Sequence, residues 1–135
     1  MALVEWSDTY VVNVREVDNQ HKRLVTLVNE LHDAVQTGKA KEVMGKVLGD
    51  LVNYTVYHFA TEERFFDIYN YPDSETHKKQ HTDLIEQITT LQKKYESGEK
   101  SITIDVMNYL HDWLHNHIVG SDKLFGPFLN SKGIS

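Results

Sequence analysis

The sequence predicts an all-α protein: an up-down-up-down four-helix bundle with an N-terminal arm and a short C-terminal tail. Three observations carry that expectation. Apolar residues recur at three- and four-residue spacing through four long stretches. Only two prolines occur, Pro72 and Pro127, and the seven glycines fall mostly at breaks in that periodicity. The connections between stretches are short, so sequence neighbours should pack antiparallel.

The first helix is expected from about Asp18, which reads as an N-cap, to a C-cap at Gly38, with Leu24, Val25, Val28, Leu31 and Val35 on one stripe. The second runs from about Lys41 to Tyr69 and is closed by Pro72, with Met44, Val47, Leu51, Tyr54 and Phe65 inward. The third starts at the cap-like Ser74 and ends near Tyr95, before Ser97-Gly98, with Leu84, Ile85, Ile88 and Leu91 inward. The fourth runs from about Ser101 to Val119 on a stripe of Ile102, Val106, Leu110, Trp113 and Leu114. The remainder is an arm before Asp18 and a tail from Gly120 to Ser135.

A chain of 135 residues suits one domain, here spanning 1–135, and buries roughly two-thirds of its unfolded surface without a structural cofactor. The apolar content of 40% and charged content of 25% exclude a disordered chain or a collagen-like repeat. Fourteen Lys+Arg against 20 Asp+Glu give a net charge of −6 with no basic run, which argues against nucleic acid or an anionic membrane as partner. With no cysteine, there is no disulfide, thiolate metal site or Cys nucleophile, so any metal is held by nitrogen and oxygen. The N-terminus, Met1 to Asp8, has early acids and no long apolar run, so neither signal peptide nor membrane anchor is expected and the cytoplasm is the expected location. A monomer is the default.

Eight histidines are more than average usage would supply. His58 and Glu62 are four residues apart, as are His77 and His81, the spacing that stacks two side chains on one helical face. Rotation by 100° per residue puts the first pair in line with Leu51, Tyr54 and Phe65, and the second with Leu84, Ile88 and Leu91. His21 lies on the stripe of Leu24 and Val28, and His117 on that of Leu110, Trp113 and Leu114. All four helices thus send His inward. Depth along the bundle is an independent test. His21 and His77 start their helices while His58 and His117 are near the ends of theirs, which places all of them in one layer of an up-down-up-down bundle. Asp122 follows His117 by five residues, not a same-face spacing in a regular helix, and Gly120 between them would let the chain turn the carboxylate back. By rotation His111 and His115 lie about 120° and 160° from His117 and should face solvent. His32 is about 16 Å along the first helix from His21 and reads as a core or boundary residue.

Five imidazoles and two carboxylates are too many for one tetrahedral zinc and suit two bridged ions. Two octahedral irons fit best. If Glu62, Asp122 and a solvent oxygen are shared, three His complete one iron, and two His leave the other with one open position. Nitrogen and oxygen donors suit manganese as well.

The constellation resembles the hemerythrin family in its bacterial single-domain form, over nearly the whole chain. The matching segments are Asp18-Asn19-Gln20-His21, His58-Phe59-Ala60-Thr61-Glu62-Glu63, His77-Lys78-Lys79-Gln80-His81 and Trp113-Leu114-His115-Asn116-His117-Ile118-Val119-Gly120-Ser121-Asp122. The resemblance implies that His77, His81 and His117 bind the saturated iron, His21 and His58 the open iron, and that Glu62 and Asp122 bridge the two. Trp6 and Asp122-Lys123-Leu124 also look like the bacterial members.

The resemblance further implies two Fe ions, cycling between Fe2+ and Fe3+ with a bridging oxo or hydroxo group, that bind O2 reversibly at the open iron. Leu24, Phe59, Trp113, Leu114 and Ile118 lie beside the ligands and would form an apolar wall limiting water and protons there. No acid or base appears in that wall, which favours oxygen carriage, storage or delivery over catalysis. Glu63 is expected on another face, solvated. The alternatives are a di-iron oxidase, peroxidase or nitric oxide reductase, or an O2 or iron sensor acting through a separate partner. An oxygen-using enzyme or a reductase is the expected protein partner.

Overall fold

Four long helices pack so that consecutive ones run in opposite directions, and no strand occurs among the described residues. The computed structural model describes residues 4–38, 41–98 and 104–135. Ile102 and the expected fourth-helix start at Ser101 lie outside these, as does the side chain of Val106. The helices are α1 (Arg15–Gln36), α2 (Lys41–Tyr69), α3 (Ser74–Glu96) and α4 (Ile104–Asn116), followed by a short α5 (Lys123–Ser131). α1 packs on α2 and α4, and α2 on α3. Among the described residues no helix is long and apolar enough to cross a membrane.

The helix ends follow local chemistry. Gly38 and Gly98 take left-handed φ values of 62° and 81° just past α1 and α3, where an L side chain would be strained. α2 is closed by Asn70 at φ 54°, and the Tyr71 N–H returns to the Phe66 carbonyl at 3.1 Å. The N-cap of α3 is Asp73, not Ser74, and it makes no side-chain cap bond. α1 starts at Arg15, nearly a turn before Asp18. Asp18 still collects backbone N–H groups, but those of Val12 at 2.8 Å and Asn13 at 3.1 Å, which turn the arm into the helix. Its negative charge stays within the first turn, where the helix dipole favours it.

The arm is clamped rather than loose. Val4 exchanges two 2.9 Å hydrogen bonds with the Asn29 side chain, and the Tyr10 hydroxyl meets His115 Nδ1 at 3.0 Å. Beyond α4 the segment expected only as a tail from Gly120 is largely helical. Residues His117–Asp122 form a π-helix and α5 continues it through Pro127. Pro127 lacks the N–H that would bond to the Lys123 carbonyl, a local cost offset by complete burial of Phe125 and Leu129. Gly126 lets α5 approach the arm, because a Cβ there would overlap the Val12 carbonyl oxygen. Phe125 meets Phe66 of α2 edge-on at 4.7 Å, closing the end of the bundle that holds the histidines.

Candidate metal centre

Each helix sends polar side chains into that end. His21, His81, Glu62 and Asp122 have no exposed surface, and His58, His77 and His117 are buried too. Two groups form: Glu62, His77, His81 and His117, and His21, His58, Glu62 and Asp122, with the ligating atoms of each group all within 4.8 Å of one another. Glu62 belongs to both. Its Oε1 is 3.4 Å from His58 Nε2 and 3.1 Å from His81 Nε2. Asp122 reaches the same two groups with its separate oxygens: Oδ1 is 2.7 Å from His77 Nε2 and 3.3 Å from His117 Nε2, and Oδ2 is 3.0 Å from His21 Nε2.

The position of Asp122 depends on the π-helix. In an α-helix five residues overshoot a full turn by about 140° and would aim Asp122 away from His117. The i→i+5 closure of a π-helix brings it back to the same side. Gly120 contributes no left-handed turn, so the wider helix, not glycine freedom, re-aims the carboxylate.

The donor atoms fit a pair of cations. His77 and His81 Nε2 lie 3.1 and 3.2 Å from His117 Nε2, about the spacing of neighbouring nitrogens each bound roughly 2.1 Å from a common ion. Both oxygens of Glu62 and of Asp122, and Nε2 of His21 and His58, are buried without an aligned hydrogen bond, although they stand within ion-pair distance. Buried polar atoms are rarely left so. Outside the cluster, Gln20 Oε1 accepts from His58 Nδ1 at 2.6 Å and Gln80 Oε1 from His117 Nδ1 at 2.9 Å, which leaves each Nε2 lone pair free for a metal. Thr61 Oγ1 and Ser121 Oγ hold these amides, at 3.3 and 2.9 Å. Phe59 stacks on His81 at 3.7 Å and Trp113 on His117 at 4.5 Å.

Without metal, protons take the place of cations. Burial lowers His81, but the Glu62 and Glu63 carboxylates beside its two nitrogens outweigh it and push it up to about 9. Burial and the Asp122 charge raise Glu62, but His58 and His81 hold it down at about 2. Burial raises Asp122 as well, yet His117, His21 and His77 keep it well below the usual carboxylate range. His21 is raised because Asp122 outweighs its burial, whereas burial prevails at His58 and lowers it.

Four of the five expected wall residues, Leu24, Phe59, Trp113 and Leu114, line an apolar cavity of about 30 Å³ that extends past Val28, Leu51 and Leu84. Ile118 is buried but does not line it. The one polar lining side chain, Thr55, gives its hydroxyl to the Leu51 carbonyl at 2.7 Å. His111 and His115 are half-buried rather than fully solvated, because the arm covers His115 through Tyr10. His32 is buried and belongs to neither donor group.

Sequence reasoning missed Gln20, Gln80 and Glu63. Glu63 is not solvated on another face; it is half-buried, and its Oε2 accepts from His81 Nδ1 at 3.2 Å. A signal was present. Gln20 and Gln80 each precede a buried leucine, Leu24 and Leu84, by four residues, and Glu63 follows Phe59 by four, so all three lie on apolar stripes.

The family profile described as "Hemerythrin HHE cation binding domain" matches residues 12–129. Over 132 residues the chain is 40% identical to "Bacteriohemerythrin" of Methylococcus capsulatus, covering 97% of this chain and 100% of that protein. It is 37% identical over 122 residues to "Bacteriohemerythrin" of Pseudomonas aeruginosa, covering 90% and 78%. The crystal structure of a wild-type hemerythrin superposes with a TM-score of 0.90 at 40% identity, covering 95% of this chain and 98% of that one. A histidine- and carboxylate-lined four-helix bundle of this kind is a metal-binding protein by its chemistry, and the chain belongs to the hemerythrin family.

Proposed function

We propose that His21, His58, Glu62, His77, His81, His117 and Asp122 hold two iron ions, and that the protein binds O2 reversibly for carriage, storage or delivery. The observation that carries this is the pair of donor groups sharing Glu62, with buried carboxylate oxygens left without aligned hydrogen bonds. In this reading His77, His81 and His117 would hold one iron and His21 and His58 the other, with fewer protein donors on the second. When bound, the ferrous pair supplies the electrons that hold O2.

The chain's own residues then decide between holding O2 and consuming it. Leu24, one turn after His21, and Phe59, beside His58, wall the apolar cavity, whose volume of about 30 Å³ is enough for a diatomic gas. No acid or base lines it, so no side chain there delivers protons to activate the bound gas. Gln20 and Gln80 fix the ring orientation of His58 and His117 without carrying charge. One observation favours a redox enzyme instead. A cleft of about 280 Å³, lined in part by Asp73, His77, Gln80 and Ser121, reaches one member of the three-His group from solvent. A reductase that returns ferric iron to ferrous is the protein partner the binding reading requires.

The test is the visible spectrum of iron-loaded, anaerobically reduced protein before air, after air, and after purging with inert gas. Reversible binding requires a colour that appears with O2 and fades on purging. An irreversible change to a ferric spectrum transfers the assignment to redox catalysis, and no change at all removes the di-iron assignment.

A further inference from the structure

The three histidines with a resolved outer partner do not have equivalent ones. His58 and His117 donate Nδ1–H to the neutral amides of Gln20 and Gln80, whereas His81 donates to the carboxylate of Glu63 at 3.2 Å. The geometry follows from α2. Glu62 points into the cluster with no exposed surface, and one residue later the helix has turned by 100°, so Glu63 lies at the α2–α3 seam, where the outer edge of His81 emerges. Its side chain keeps 34% exposure, while the His81 ring is buried. The neighbouring ammonium of Lys78 is engaged by Asp67 at 2.7 Å. The Phe59 ring, 5° from parallel with His81 at 3.7 Å, already sets the plane of that imidazole. What Glu63 adds beyond orientation is charge.

We propose that Glu63 is a positioning residue whose carboxylate, through the Nδ1–H of His81, lowers the reduction potential of the three-His metal. The inference rests on the ligand set proposed above. A charge-assisted hydrogen bond from the imidazole to a carboxylate makes Nε2 a stronger donor, which favours ferric over ferrous iron. His81 belongs to the donor group of Glu62, His77, His81 and His117 and not to that of His21, His58, Glu62 and Asp122, so the Glu63 charge would act on one metal of the pair and not on the other.

The experiment compares Glu63→Gln and Glu63→Ala with the parent by spectroelectrochemical titration of the iron-loaded protein without O2, alongside Zn2+ titration of the metal-free protein. Gln keeps an acceptor and removes the charge. It should hold two metals per chain and shift the ferrous–ferric ratio of one iron tenfold or more toward ferrous at a fixed potential, equivalent to 59 mV for one electron. Ala removes both and should weaken Zn2+ binding by about 10–100-fold. A Gln variant with an unchanged potential, or one that binds fewer than two metals, overturns the proposal. Loss of reversible O2 binding by the parent would instead defeat the proposed function, and the potential shift is read without O2.

Discussion

Metal uptake by the empty protein should expel a proton from His81. That group is pushed up to about 9, so it is about 99% protonated at pH 7, and its Nε2 can accept a metal only after losing that proton. Glu62, at about 2, and Asp122, well below the usual range, are already ionised and release nothing at neutral pH. His58 is lowered and contributes little, whereas His21 is raised and adds to the release. Zn2+ binding at pH 7 should therefore liberate at least about one proton from the cluster, and affinity should fall about tenfold per pH unit below 9, or about 100-fold from pH 9 to pH 7. Titration calorimetry in buffers of different ionisation enthalpy counts the protons. A release that does not decline as pH rises through about 9 would refute the reasoning. The same shifts set the stability of the metal-free fold. The raised His81 stabilises it fully below about 6.5, a contribution lost as pH rises through about 9, and the depressed Glu62 stabilises it above about 4.5, lost as pH falls through about 2. Both contributions are present together between about pH 4.5 and 6.5.

Glu62→Ala removes the residue common to both donor groups and should cost most of the iron, while His115→Ala should leave iron content unchanged and lose only about 1 kcal/mol through the Tyr10 contact. Equal iron loss by elemental analysis in the two variants would contradict the separation of inward from outward histidines. Leu114→Ala opens the apolar wall and should speed autoxidation while costing about 2–5 kcal/mol of stability; an unchanged autoxidation rate would remove Leu114 as a barrier to water. Gly126→Ala should destabilise by about 1–3 kcal/mol, because its methyl meets the Val12 backbone, which has no side-chain freedom with which to yield. An unaltered urea midpoint would mean that the arm is not packed against α5 as described.

The four helices and the inward direction of five histidines were legible in the sequence, because both are matters of spacing. A 100° rotation per residue places His58 with Glu62 and His77 with His81 on the same stripes as Leu51 and Leu84, and alternating helix direction brings them to one depth. It also set Glu62 beside His58 on one stripe, whereas Asp122 entered only through a turn expected at Gly120 and the family resemblance. Tertiary structure decided what spacing leaves open. Regular periodicity put Asp122 out of reach, and only the π-helix at His117–Asp122 turned it back, a choice of hydrogen-bond register that burial of the cluster and of Phe125 enforces. Gly126 and Pro127 fell in the tail outside the four expected helices, but packing of Phe125 and Leu129 on the bundle end outweighs one missing backbone bond. Glu63, next to Glu62 in sequence, meets His81 because the packing of α2 against α3 sets the outer edge of that ring against its carboxylate. One helix's periodicity says which way a side chain points. What it meets there depends on a surface contributed by another part of the chain.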